Sequence, residues 1–375
     1  MTMSISSVGM ASALGLDWET SCAASRAGIL RASTLNHFRV QEGDPWEVSF
    51  VTAHEATLLT HGFEGQGRLL RLLSGAFADL QKRIPDSCDE LPIFLSLPSQ
   101  DRTTVDDETL DDDTGEPIPP VPILNQAEDL VTRAAQLGKW RGHVRLADLS
   151  IAGRTAVAAS FQSCLAAFND SRIESALVGT VDSLLDDETL AWLKNSGRLK
   201  HAAAATGLMP GEAAVLFLVS RGVVGRKSLG TVEAVSFADE HCHFESGKPA
   251  GGKGLSAVIL QVAQRGKWPG QDLPWVVSDQ TGETFRAADW GHALHRLVAQ
   301  DRVFGKIRVS LPAISFGDTG TASASVGVAC VLAAWKRGYA PSTRCCISSS
   351  SDAAQRAAFL VSSPELMSRE NVKPR

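Results

Sequence analysis

Two stretches of the chain are apolar at nearly every position, and each follows a turn that contains glycine. Residues 321–337 show almost no polar face before Lys336 and Arg337, and residues 156–168 are also small and mostly apolar. Helices that are apolar on all sides lie inside a protein rather than on its surface. The pattern therefore predicts two buried helices, and their small side chains would let a neighbouring backbone approach closely.

Both predicted helices begin next to glycine. Gly317 and Gly320 lie in the turn 314–320, and Gly153 lies in the turn 148–155. Glycine permits the tight backbone conformations that such turns need. The start of a helix presents backbone N–H groups without partners and the positive end of the helix dipole. A buried helix start of this kind is suited to catalysis or to anion binding.

The same order of elements occurs twice along the chain. Each apolar helix is followed by two strand-like runs, at 176–179 and 213–219 in the first half and at 345–347 and 357–361 in the second. This duplication predicts two similar α/β halves that pack against each other. The glycine-rich, basic segment 220–228 separates the two patterns. We therefore expect domains at residues 1–226 and 227–375, with the boundary in that segment.

Hydrophobic periodicity predicts the remaining elements. Further strands are expected at 3–10, 91–97, from 144, 229–237 and 275–277, and further helices at 17–26, 64–84, 126–137, 257–264 and 285–300. Asp17 is expected to cap the first of these helices. The acidic, proline-rich segment 101–122 and the segment 238–254 are expected to be loops, and the tail from 362 is expected to be disordered.

Composition narrows the class of protein. The chain has 375 residues, of which 44% are hydrophobic and 21% charged, as expected for a globular protein with a large core. A net charge of −6 argues against nucleic acid as a partner. The sequence shows neither an apolar run long enough to span a bilayer nor the pattern of a signal peptide. Seven cysteines without a CxxC motif suggest free thiols, and hence a cytoplasmic location.

Four other patterns suggest chemistry but lack a necessary part. Residues 241–243 (His-Cys-His) could ligate zinc, but no second pair of ligands stands at a suitable spacing. Residues 247–254 nearly match a phosphate-binding loop, but Gly254 replaces the required hydroxyl residue. The acidic triplet 111–113 does not fit an EF-hand, and Cys164 lies among apolar residues as a core residue would. We therefore expect neither a metal nor a cofactor.

Several motifs together resemble the thiolase superfamily, and within it the β-ketoacyl synthases. Residues 4–29 resemble the synthase N-terminal strand, turn and helix, and residues 175–182 (SALVGTVD) are similar to the ALVGG-V-D strand. Residues 211–215 (GEAAV) resemble the GEGA-type strand, and residues 316–320 (FGDTG) resemble the GHTG motif. The resemblance extends over nearly the whole chain. It implies a duplicated, thiolase-like α/β fold with five αβαβα layers, usually found as a dimer.

The resemblance also assigns the catalytic positions of the family, which uses one cysteine and two histidines. Counting back from Gly179 places Arg154 at the cysteine position. The first histidine motif aligns with 279–283, which places Asp279 there, and the second histidine corresponds to Asp318. All three reacting side chains are thus expected to be absent. The remaining vestigial pocket would comprise Gly153, Thr155, Thr281, Gly317, Thr319, Gly320 and Asp352.

These replacements are incompatible with the family's condensation chemistry. The cysteine acts as a thiolate nucleophile, whereas an arginine has no nucleophilic lone pair at neutral pH. Ionised aspartates only accept hydrogen bonds, so they would repel a developing oxyanion. Arg154 could instead pair with Asp279 and Asp318 in a buried cluster. An ion pair that fills a vestigial pocket is favoured over a new catalytic site, and both remain open.

Two classes of function follow from the resemblance. The first is a catalytically inactive scaffold, adaptor or partner subunit, similar to degenerate synthase-like proteins of bacteria, some of which are linked to secretion systems by association alone. It would form a homodimer, or a heterodimer with another protein, and acyl-CoA or acyl carrier protein is a possible ligand or partner. The second is an acyltransferase or hydrolase that acts on acyl thioesters, with Asp279 or Asp318 as a base. Nucleic acid and membrane are not expected partners.

Overall fold

The computed structural model describes residues 2–41, 48–84, 90–99, 102, 123–170, 172–222, 228–270 and 272–364. The strands in this part of the chain are β1 Met3–Ser12, β2 Ser33–Gln41, β3 Val48–Ala53, β4 Leu91–Ser96, β5 Val144–Ser150, β6 Ser175–Ser183, β7 Glu212–Arg221, β8 Gly230–Asp239, β9 Trp275–Ser278, β10 Arg308–Ser310, β11 Arg344–Ser350 and β12 Gln355–Ser362. The α-helices are α1 Trp18–Arg26, α2 Thr57–Thr60, α3 Gly65–Gln81, α4 Ile123–Leu137, α5 Ala156–Asn169, α6 Asp187–Asn195, α7 Lys253–Arg265, α8 Thr284–Gln300, α9 Ala313–Phe316 and α10 Ser323–Lys336.

The two halves of the chain form two sheets with the same topology. The first sheet has the order β1-β7-β6-β4-β5, and the second has the equivalent order β8-β12-β11-β9-β10. In each sheet the first two strand pairings are antiparallel and the last two are parallel. The predicted internal duplication is therefore confirmed at the level of strand order and direction.

The two apolar helices α5 and α10 lie between the sheets. They share one core cluster with side chains from the facing strands of both sheets. Phe161 of α5 shows this most clearly, because its ring lies 5.9 Å from the Phe217 ring of β7 and 5.3 Å from the Phe359 ring of β12. A helix that has no polar face can only be accommodated in such a central layer.

Helices also cover the outer face of each sheet. The pair α3 and α4 packs on the first sheet through a second core cluster, and the pair α7 and α8 packs on the second sheet through a third. The layers are therefore helix, sheet, helix, sheet, helix, which confirms the five-layer αβαβα prediction. None of the helices in the described part of the chain combines the length and apolar character needed to cross a membrane.

Local signals set most of the predicted boundaries. The Asp17 side chain accepts the Thr20 N–H at 2.8 Å, so the predicted N-cap of α1 is confirmed. Several boundaries differ from the prediction by a few residues, among them the starts of α4 and α7 and the end of β12. Helix α7 begins at Lys253 rather than 257, immediately after Gly252 in a left-handed conformation (φ 64°). Strand β12 continues to Ser362, so residue 362 belongs to the second sheet rather than to a disordered tail.

Some predicted features lie outside the described residues. These are the acidic triplet 111–113 with nearly all of segment 101–122, the tail beyond 364, and the domain boundary at 226/227. The turn 314–320 contains the short helix α9, and α10 is preceded by a 3-10 turn at Gly320–Ala322. Helices α2 and α6 and the hairpin of β2 and β3 were not predicted, since short amphipathic elements give weak periodic signals.

Candidate functional site

The starts of the two central helices meet at the middle of the molecule. A 3-10 turn, Gly153–Thr155, leads from β5 into α5, and the equivalent turn Gly320–Ala322 leads into α10. Both turns begin with a glycine at positive φ, +56° at Gly153 and +54° at Gly320. Such φ values favour glycine, which accounts for the glycines that the sequence shows at both places.

An ion pair joins the two helix starts. The Nη2 group of Arg154, next to α5, donates to Oδ2 of Asp318, which precedes α10. Arg154 is 6% exposed and Asp318 is 1% exposed, so the pair is buried. The other Asp318 oxygen accepts the Gly320 N–H at 2.9 Å and thereby caps the turn that leads into α10. The predicted pairing of Arg154 with Asp318 is therefore present.

Asp279 lies near this pair but contacts other groups. It follows β9, accepts the Ser350 N–H at 2.8 Å, and lies 3.6 Å from Nη1 of Arg286. Burial raises the pKa of Asp279, and the charges of Arg286 and Arg154 offset this only in part. The predicted direct pairing of Asp279 with Arg154 is thus replaced by a contact with Arg286, while Asp279 still acts on Arg154 through its charge. Burial alone would lower the pKa of Arg154, but Asp318, Asp279 and Asp352 together raise it.

A second group of buried charges lies beside the first and was not predicted. Arg198 donates to Glu283 at 2.6 Å and to Asp352 at 2.8 Å. Arg286 donates to Glu283 at 2.9 Å and to Asp352 at 2.5 Å. Burial opposes ionisation of Glu283, but Arg286 and Arg198 outweigh it and lower the pKa of Glu283 to about 2. The same arginines hold the pKa of Asp352 well below its usual value against the effect of burial.

A third ion pair connects the first half to the start of α10. Arg102 donates to both oxygens of Asp182, at 2.8 and 2.9 Å. Asp182 in turn accepts the Thr321 N–H at 2.7 Å. Two carboxylates, Asp318 and Asp182, thus cover the positive end of α10. Asp182 belongs to the strand motif that resembles the synthases, but no sequence pattern indicates its partner Arg102.

A cavity of about 300 Å³ opens beside these groups. Its described lining includes three predicted site residues, Gly153, Arg154 and Asp352, together with Arg102 and Arg198. Its apolar lining residues are Ile151, Leu184, Trp192, Leu193 and Leu208. Apolar and charged surfaces adjoin in this lining, since the guanidinium carbon of Arg198 lies 5.1 Å from the centre of the Trp192 ring.

The other predicted pocket residues lie close to these charged groups but are not among the described residues that line the cavity. Thr155 donates to the Ala152 carbonyl at 2.9 Å, and Thr281 donates to Glu283 at 3.0 Å. Thr319 is buried and lies 3.2 Å from the Ser323 hydroxyl. Gly317, like Gly320, has a positive φ (71°) that shapes the turn before α10. The predicted set is therefore brought together around the helix starts.

No cysteine or histidine is among the described residues that line the cavity. Cys164 is fully buried in the central core, and burial raises the pKa of its thiol. His241, Cys242 and His243 lie in the loop after β8, and no cluster that could hold a metal is found among the described residues. The buried His54, which sequence patterns did not single out, lies close to Gly317, and burial lowers its pKa.

No protein-family model matches the chain, and no curated protein matches it in sequence. Solved structures match it over nearly its whole length. The ishigamide ketosynthase/chain length factor is 15% identical, with a TM-score of 0.71, and the match covers 96% of this chain and 99% of that one. A type II polyketide synthase ketosynthase, solved with its acyl-carrier protein and bound to the hexaketide, gives 10% identity, a TM-score of 0.74, and coverage of 96% and 99%.

A third similar structure is a ketosynthase in complex with its chain length factor from Xenorhabdus doucetiae. It is 14% identical, with a TM-score of 0.68, and the match covers 96% of this chain and 98% of that one. At identities this low the likeness shows the fold. The expected thiolase-like, ketosynthase-type architecture is confirmed.

Proposed function

We propose that this chain, which has the thiolase-like fold of ketosynthases, does not condense acyl groups and acts as a scaffold, adaptor or partner subunit. One observation carries the proposal: the buried ion pair between Arg154 and Asp318 occupies the starts of the two central helices. The resemblance assigns the family's cysteine and one histidine to these two residues. An arginine there offers no nucleophile, and a carboxylate offers no hydrogen-bond donor while it is ionised.

The surrounding charges support a structural role for the pair. Asp318 is engaged by Arg154 and by the Gly320 N–H, so neither oxygen is available as a base without breaking a contact. Asp279, assigned to the other histidine, accepts the Ser350 N–H and is not among the described residues that line the cavity. These contacts favour the inert protein over the alternative, a hydrolase or acyltransferase that would need one of these carboxylates as its base.

Similar structures suggest the kind of partner. Two of them contain a ketosynthase together with a chain length factor, and one contains a ketosynthase with an acyl-carrier protein. By analogy with these assemblies, the partner would be a ketosynthase-like subunit or an acyl carrier protein. The partnership would use the fold as a rigid surface and would not need chemistry at Arg154.

Two measurements on the full chain test this function. Incubation with acyl-CoA and with acyl carrier protein thioesters should release no free thiol above the rate of the buffer. Turnover above that rate would support the alternative enzyme and refute the proposal, and its loss in Asp279→Asn would identify the base. Co-expression with a ketosynthase-like protein should give a stable complex by light scattering, and the partner should keep its activity when this chain carries Asp279→Asn, a variant expected to keep the fold.

A further inference from the structure

The start of α5 differs from the start of α10 in its capping. In α10, the Asp318 carboxylate accepts the Gly320 N–H two residues later, at 2.9 Å. The equivalent position before Gly153 is Ile151, which has no acceptor in its side chain, and neither the turn Gly153–Thr155 nor α5 has a side-chain cap. The positive end of a 14-residue helix therefore faces the cavity side of the site without a carboxylate of its own.

A second observation concerns Arg154 itself. Its Nη1 nitrogen is buried and has no hydrogen-bond partner in the described part of the chain. The neighbouring guanidinium groups have more hydrogen-bond acceptors, since Arg198 and Arg286 each donate to two carboxylates. Among the described residues, Arg154 donates to Asp318 alone. A buried donor without a partner is unfavourable, so this guanidinium lacks one acceptor.

The cavity beside Arg154 has the form of a small-molecule site. Its volume of about 300 Å³ is at the lower end of the ~300–1,000 Å³ usual for such sites. Leu184, Trp192 and Leu208 contribute apolar surface to the same lining, and the Trp192 ring lies directly beside Arg198, 5.1 Å from its guanidinium carbon. The described charged residues of the lining are three arginines (Arg102, Arg154, Arg198) and two carboxylates (Glu245, Asp352).

We propose that this cavity binds a small carboxylate with a short apolar body. The carboxylate would lie at the start of α5 in the position equivalent to the Asp318 carboxylate, and would accept hydrogen bonds from the Gly153 N–H and from Nη1 of Arg154 as the guanidinium turns towards it. The apolar body would lie against Leu184, Trp192 and Leu208. The site is independent of the proposed function, because an inert subunit and an enzyme could both contain it.

Ile151 provides a test that leaves Arg154 intact. Removing Arg154 would leave Asp318 buried without its partner and would destabilise the fold. Ile151 is 41% exposed, so Ile151→Asp should fold normally and place a carboxylate at the start of α5. That carboxylate would cap the turn in the way Asp318 caps its own, and would exclude the ligand. Ile151→Ala, which adds no carboxylate, is the matched control.

Isothermal titration calorimetry of the full chain with hexanoate and with 1-hexanol measures the head-group preference. Hexanoate should bind saturably and at least tenfold more tightly than 1-hexanol. Ile151→Asp should bind hexanoate at least tenfold more weakly than Ile151→Ala, which loses the same apolar side chain but adds no carboxylate. The proposal is overturned if hexanoate shows no saturable binding, if the alcohol binds equally well, or if Ile151→Asp binds like Ile151→Ala. This experiment measures ligand binding and not thioester turnover. Failure of the carboxylate-site proposal can therefore be distinguished from failure of the proposed function.

Discussion

Arg154 and Asp318 form a buried ion pair that ties the start of α5 in the first half to the start of α10 in the second. The two residues are 164 positions apart in the chain, yet Arg154 directly follows Gly153 and Asp318 lies two residues before Gly320, the glycines that begin the turns into α5 and α10. The pair therefore connects the two halves of the duplication at their centre. It also fills the place where the thiolase-like fold brings two helix starts together.

Breaking this pair should destabilise the protein strongly. Arg154→Met or Asp318→Asn should each lower the free energy of unfolding by about 3–5 kcal/mol, because each leaves a buried charge uncompensated. The double variant should lose clearly less than the sum of the two. Urea unfolding followed by circular dichroism measures all three.

The exposed pair Arg133–Asp129 on α4 serves as the control. Its side chains are 65% and 57% exposed, so Arg133→Ala should change stability by no more than about 1 kcal/mol. If the losses at Arg154 and Asp318 are strictly additive, the two residues do not act as a pair.

Glu283 should make stability depend on pH in the acid range. Its pKa of about 2 lies below the ordinary value of 4.5, because Arg286 and Arg198 outweigh the effect of burial. A lowered pKa in the folded state gives stability that is fully present above about pH 4.5 and is lost as the pH falls towards 2. The contribution at pH 7 is of the order of 3 kcal/mol.

The difference in stability between wild type and Glu283→Gln should therefore shrink as the pH falls from 7 to 3. Glu90→Gln, at a site that is 59% exposed, should follow the wild type at every pH. A constant difference between wild type and Glu283→Gln over this range would show that the carboxylate is not held ionised by its two arginines.

Asp279 should behave in the opposite way. Burial raises its pKa, so folding disfavours its ionised form, and stability is lost as the pH rises from the normal pKa of the carboxyl group through the raised pKa of the folded state. Asp279→Asn removes this cost and keeps an acceptor for the Ser350 N–H. At pH 7 we expect it to stay within about 1 kcal/mol of the wild type, or above it. A loss as large as that of Asp318→Asn would contradict this assignment.

A cysteine at position 154 should not recreate a reactive thiol. In Arg154→Cys, the carboxylates of Asp318 and Asp279 would disfavour the thiolate and raise its pKa. Iodoacetamide at pH 7 should therefore alkylate this cysteine at least tenfold more slowly than the cysteine of Ile151→Cys at the cavity mouth. Equal rates would mean that the carboxylates do not control the electrostatics of the helix start.

Periodicity and motif order were enough to predict the fold. The apolar runs around Phe161 and Val328 could only be central helices, and the strands after them repeated in the same order. Short elements such as α6 are not predicted, because the periodic pattern of nine residues with mixed polarity cannot be distinguished from that of a loop.

The sequence predicts charge pairing only among the positions that the resemblance assigns to one active site. Arg154 and Asp318 are two of these positions, so their contact could be inferred. Arg198, Glu283 and Arg286 lie in three-dimensional contact, but no spacing in the sequence relates residue 198 to residue 283. Asp279 is paired with Arg154 in the sequence analysis because the resemblance places both in one site. The orientation that turns Asp279 towards Arg286 depends on how β9 and β11 pack, which the sequence does not show.

The most direct test of the account is intact-protein mass spectrometry after incubation of the wild-type chain with an acyl carrier protein thioester. A condensing enzyme forms a covalent acyl intermediate, whereas a chain with Arg154 paired to Asp318 has no nucleophile at that place. We predict an unmodified mass for this protein under conditions that acylate an active ketosynthase. A stoichiometric acyl adduct on the wild-type chain would contradict the account.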